Sequence, residues 1–112
     1  MAECIFCKIA EKKIPAQIEL EDDDFVVFKD INPQAPVHYL LIPKKHMQDI
    51  TELQDEKLAG RLLMGCVAAA QKLGLFTHGF RLVVNTKNHG GQTVYHLHFH
   101  ILGGRHMGWP PG

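Results

Sequence analysis

The chain has 112 residues, 46% hydrophobic and 21% charged, which fits one globular domain over residues 1–112 and is too apolar for a disordered chain. Twelve Lys+Arg balance twelve Asp+Glu, so there is no excess of basic charge to coat nucleic acid, although a few local donors suffice for a small anion. No apolar run reaches the roughly 20 residues of a membrane span, and Met1-Ala2-Glu3-Cys4 lacks the pattern of a secretion signal.

Residues 4–10 predict a short helix, because Ile5, Phe6 and Ile9 recur at helical spacing, and Lys12-Lys13-Ile14-Pro15 ends it. Residues 17–20 read as a weak strand, 21–24 as an acidic turn and 25–28 as a better strand. Pro33 and Pro36 punctuate a loop over 30–36, and a strand over 37–42 is closed by Pro43. Residues 51–73 predict the one long helix: Thr51 and Gln54 fit a capping box, and Gly74 stands where a C-cap belongs. Leu58, Leu62, Cys66, Ala69 and Leu73 mark its apolar face. A strand over 80–84, a loop over 85–92 with Gly90-Gly91, a last strand over 93–102 and a Pro/Gly-ended tail complete the chain. The order gives an α+β fold, a four- or five-stranded antiparallel sheet with the long helix on one face. Three cysteines form no disulfide framework, so a cytoplasmic chain with reduced thiols is expected.

Eight histidines are unusual, and three fall within Tyr95-His96-Leu97-His98-Phe99-His100-Ile101-Leu102. In a strand His96, His98 and His100 share one face, and Tyr95, Leu97, Phe99 and Ile101 the other. Three readings arise: a polar outer face, a metal site of neutral imidazoles, or catalysis in which one ring attacks phosphorus while another moves a proton. The preceding His89-Gly90-Gly91-Gln92-Thr93 favours catalysis on a phosphate, since paired glycines let backbone N–H groups approach an anion and Thr93 adds a hydroxyl. Read alone, Gly90-Gly91 is a hairpin turn.

This segment resembles the signature of the histidine triad (HIT) family. The wider resemblance is to its Hint branch, the histidine triad nucleotide-binding proteins. It extends over Asp30-Ile31-Asn32-Pro33-Gln34-Ala35-Pro36, Ile42-Pro43-Lys44-Lys45-His46, Gly90-Gly91-Gln92-Thr93-Val94-Tyr95-His96, Leu102-Gly103-Gly104-Arg105 and the closing Trp109-Pro110-Pro111-Gly112. It implies a homodimeric purine nucleoside phosphoramidase that cleaves P–N bonds of AMP- or GMP-type phosphoramidates, and also hydrolyses aminoacyl-adenylates at their P–O bond, with no cofactor needed for catalysis. His98 would be the nucleophile. His100 would contact the phosphate and protonate the departing amine, His96 would orient the pair, and His38 would join the proton network. Gly91, Gln92, Thr93 and Asn85 would hold the phosphate, and Asp30, with Ile31 beside it, the ribose.

Plainer readings stand beside these. Asp30 is a loop residue capping its own backbone, Asn85 a turn residue and His38 a satisfied core histidine. Phe6, Phe28 and Leu40 wall an adenine pocket or are simply core, and Trp109 anchors packing or a dimer surface. Cys4-x-x-Cys7 departs from many Hint proteins. Other members of the superfamily carry such a pair on zinc with two histidines, here His46 and His96, giving a structural Cys₂His₂ site. The alternative is two small residues packing a helix. A sister activity, dinucleoside polyphosphate hydrolysis, and a non-catalytic nucleotide- or zinc-binding role remain the competing functions.

Overall fold

A computed structural model describes residues 4–112. The reading of Met1 to Glu3 as lacking a signal lies outside the described residues. Helix α1 (Ile5–Ala10) leads to strands β1 (Ile18–Glu21), β2 (Phe25–Lys29) and β3 (Val37–Pro43). A 3₁₀ turn (Ile50–Glu52), the long helix α2 (Glu56–Lys72), β4 (Phe80–Val83), the short α3 (Lys87–Gly90) and β5 (Phe99–Gly103) follow. The five strands form one antiparallel sheet in the order β1-β2-β3-β5-β4. The last strand of the sequence is therefore internal, between β3 and the edge strand β4.

Alternation along β2, β3 and β5 splits the core in two. Phe25, Val27, Leu41, Phe99 and Ile101 face α2, where they meet Leu62, Cys66 and Ala69. Val26, Phe28, Leu40 and Ile42 face the other way and pack with Phe6 and Ile9 of α1. The sequence assigned a covering helix to one face. The second face is covered as well, which is why β2 reads as an unbroken apolar run instead of an alternation.

Helix α2 starts later than expected. Asp55, not Thr51, is its N-cap, and its carboxylate accepts from the amides of Lys57 at 3.0 Å and Leu58 at 3.2 Å. The Thr51 hydroxyl donates instead to Asp49, within a separate 3₁₀ turn. At the other end Gly74 has φ 77°, the left-handed conformation that stops the helix as expected. The loop over 85–92 contains α3, whose closing residue Gly91 is also left-handed at φ 76°. No helix among the described residues is long and apolar enough to cross a membrane.

Candidate active site and metal centre

The histidine segment pairs with β3 and β4 only from Phe99 onward, so the expected strand over 93–102 is shortened at its start. Before it, Leu97 N–H donates to the Met47 carbonyl and Gln92 is turned inward, which takes residues 93–98 out of the ladder. The side chains still alternate. Leu97, Phe99 and Ile101 enter the core under α2, while Tyr95 is exposed. His96 and His98 are buried, and His100 is half-buried. The polar outer face is thus overturned: α1 covers it. The ring of Phe6 meets His96 edge-on at 6.0 Å and His98 at 5.2 Å.

Backbone groups, whose donor or acceptor role is fixed, set the tautomer of each ring. The His96 carbonyl lies 2.8 Å from His98 Nδ1, so Nδ1 carries the proton and Nε2 keeps its lone pair. The Gln34 N–H donates to His38 Nδ1 at 2.9 Å, so the His38 proton is on Nε2. That proton points to His100 Nδ1 at 2.8 Å, with Asp30 Oδ2 at 3.3 Å. His100 therefore carries its own proton on Nε2. One ring of the adjacent pair offers a lone pair and the other a proton, with centroids 5.0 Å apart.

Burial keeps these rings neutral. It pushes His100 down to about 4, helped by the neighbouring His98 and His38. It lowers His98 against the opposing bond to the His96 carbonyl, and lowers His38 against the pull of Asp30. Asp30, His38 and His100 also bring ligand-type atoms within 4.8 Å of one another. The Gln34 amide denies His38 Nε2 the lone pair that a metal needs, and the His38 Nε2 proton fills the space between His100 Nδ1 and Asp30 instead.

His38, His98 and His100 open on a cavity of about 620 Å³. Asp30, Ile31 and Thr93 also line it, and so do Phe6, Phe28 and Leu40. The Asp30 carboxylate is oriented by the Asn32 amide, which donates to Oδ1 at 2.8 Å. Ile31 is 98% exposed, at the rim. Not every expected residue reaches this space. Asn85, Gly91, Gln92 and His96 are not among its lining residues. The amides of Gly91 and Gln92 are spent on the Asn88 and Lys87 carbonyls, and the buried Gln92 side chain anchors the loop. Thr93 and Val94 are what the glycine-rich segment presents to the cavity. Gln34, the residue that orients His38, was invisible to sequence reasoning, since the donor is a backbone amide common to every non-proline residue.

His96 belongs to a second cluster. Its Nε2–H donates to the Pro43 carbonyl at 2.9 Å, which leaves the Nδ1 lone pair free. That atom faces Cys4 Sγ at 3.3 Å, Cys7 Sγ at 3.5 Å and His46 Nδ1 at 3.1 Å, and Cys7 Sγ lies 3.3 Å from His46 Nδ1. A tetrahedron with usual Zn–S and Zn–N lengths has N–N edges of about 3.3 Å and S–N edges of about 3.5 Å. The observed separations match these edges, so the donor set fits zinc. Two ring nitrogens and two sulfurs this close need a proton or a cation between them. Without one, burial and the neighbouring Cys4 push the Cys7 thiol up to about 11.

A HIT domain model matches residues 11–107. The chain belongs to the HIT family. Cys4 and Cys7 precede the matched stretch. An uncharacterized HIT-like protein of Synechocystis is 52% identical over the whole of both chains. Among solved structures, a HIT family hydrolase from Legionella pneumophila is 49% identical at a TM-score of 0.94, covering 98% of this chain and all of that one. A histidine triad protein from Clostridium difficile is 38% identical at a TM-score of 0.92, with 96% of each chain covered.

Proposed function

We propose that this HIT protein is a nucleotide hydrolase of the cytoplasm, specifically a purine nucleoside phosphoramidase. The observation that carries the reading is the His98–His96 contact, which leaves the His98 Nε2 lone pair at a cavity of mononucleotide size. His98 Nε2 attacks phosphorus; a bond from phosphorus to this ring forms as the bond to the departing amine breaks. His100, having taken up a solvent proton as the anionic substrate binds beside it, passes a proton from Nε2 to the departing amine and is left neutral. Water then attacks the nucleotidyl-histidine, releases AMP and returns a proton to His100, so the cycle closes. Asp30 suits the vicinal ribose hydroxyls as an acceptor. Thr93 supplies a donor to the phosphoryl oxygens. Apolar walls from Phe6, Phe28 and Leu40 suit a purine.

Cys4, Cys7, His46 and His96 would hold zinc as a closed structural site. With all four positions filled by protein, zinc would serve as a cross-link between α1 and the histidine segment. The homodimer is part of the same proposal; light scattering that finds a single-chain mass at micromolar concentration rejects it.

The test of function is incubation with adenosine 5′-phosphoramidate, followed by mass spectrometry of a rapidly quenched sample. The expected product is AMP, with an adenylylated peptide that maps to His98. Faster turnover of diadenosine polyphosphates would assign the sister activity instead, and nucleotide binding without turnover of either would leave a binding protein.

A further inference from the structure

Lys87 stands at φ 59°, a conformation disfavoured for any residue with a Cβ. Four contacts hold it there. Its N–H donates to Gln92 Oε1 at 2.8 Å, and its carbonyl accepts from the Gln92 N–H at 3.1 Å. Its ammonium donates to Asp49 Oδ2 at 2.7 Å and Thr51 Oγ1 at 3.2 Å. Asp49 is buried, whereas the Lys87 side chain is 60% exposed. Lys87 and Thr51 hold the Asp49 carboxyl down to about 2. Gln92 completes the strap, with Nε2 donating to the carbonyls of Gln48 at 2.7 Å and Val94 at 3.0 Å.

Residues 92–94 are thus tied to residues 48–51, which lie about forty positions away in the chain. Neither Asp49 nor Lys87 touches the catalytic cavity, but Thr93, inside the tied segment, lines it. We propose that Asp49 and Lys87 are positioning residues that hold the strained turn in the form that presents Thr93 to the phosphoryl group of the substrate. The proposal rests on the phosphoryl-transfer reading above. Its chemistry is simple: a hydroxyl donor contributes only when it is held in place, and a turn with a left-handed lysine relaxes unless both of its ends are pinned.

The test compares AMP with adenosine, which lacks the phosphoryl group, by calorimetric titration of the full chain. Asp49→Asn and Lys87→Met should each weaken AMP binding about tenfold and leave adenosine binding unchanged. Lys87→Arg should restore most of the loss, and Asp49→Asn combined with Thr93→Val should bind AMP no worse than Thr93→Val alone. Equal weakening of both ligands would overturn the proposal, since that is what general loosening of the fold produces. Unchanged AMP binding would overturn it too. Should Asp49→Asn not fold, Lys87→Met carries the comparison, because its side chain is largely in solvent. If the wild-type chain binds AMP no tighter than adenosine, the phosphoryl reading itself fails; if it prefers AMP and the variants keep that preference, only the positioning role fails.

Discussion

The Nδ1 atom of His98 lies 2.8 Å from the carbonyl oxygen of His96, two residues earlier in the chain. A carbonyl only accepts, so the proton of the His98 ring is on Nδ1 and the reactive lone pair is on Nε2. Replacement of His98 by Ala or Asn removes that lone pair. Turnover of adenosine 5′-phosphoramidate should fall by about three orders of magnitude or more, while AMP binding, measured by titration, should largely survive. Near wild-type turnover in either variant would end the covalent mechanism.

The His38 to His100 contact at 2.8 Å fixes which nitrogen of His100 donates. His38→Asn or His100→Asn should cost about a hundredfold on substrates with an alkylamine leaving group, in line with loss of a general acid. A p-nitrophenyl ester of AMP, whose leaving group departs without a proton, should lose far less. Equal losses on the two substrates would show that these rings do not deliver a proton.

Elemental analysis of protein purified without chelator should find about one zinc per chain, as a closed four-ligand site requires. Under a tenth of an equivalent rejects the site. Cys7→Ser should lose the metal and lower Tm by roughly 5–10 °C. Titration of zinc into metal-free protein near neutral pH should release protons, because Cys7 is otherwise held as a thiol.

Burial pushes His96 and His100 down to about 4, whereas an unfolded chain protonates histidine near about 6.5. Between these values the unfolded state binds more protons, so metal-free protein loses stability as pH falls from about 6.5 toward 4, by up to about 3 kcal/mol for each ring. Above about 6.5 both states hold the rings neutral and the dependence on these groups ends. Urea unfolding at several pH values in this window measures it, and a flat profile would mean that the rings are not shielded.

Gly65 sits on the buried face of α2, where an added Cβ would lie 2.8 Å from two atoms of the Phe25 ring and 2.9 Å from Leu41 Cδ1. Alanine gains about 1 kcal/mol in helix propensity over glycine. Overpacking a rigid core costs about 1–3 kcal/mol, and the Phe25 ring that the new methyl would meet is itself buried. Gly65→Ala should therefore lower the urea midpoint despite the better helix former.

Where a pattern depends on neighbours in sequence, the chain was legible. Alternation placed His98 and His100 opposite Phe99 and Ile101, and Gly74 marked the end of α2. Where two equivalent local signals compete, it was not. Thr51 and Gln54 looked like a capping box, but Asp55 is nearer the apolar stretch and Asp49 takes the Thr51 hydroxyl. The register of residues 93–98 was also hidden, because the Gln92 side chain and the Met47 carbonyl decide it from outside the segment. Phe6 reads as core in any periodicity, and only the fold shows its edge against His96 and His98.

Cys4 meets His96 across a separation of 92 residues, and among the described residues β4 pairs with no strand except β5. A ribosome releases the amino end first, so α1 can meet His46 early but lacks His96 until nearly the entire polypeptide has emerged. Closing so long a loop is slow on entropic grounds. The nascent chain can thus lay α1 and α2 on the two faces of β2 and β3 before β5 exists, and the site is assembled only at the end.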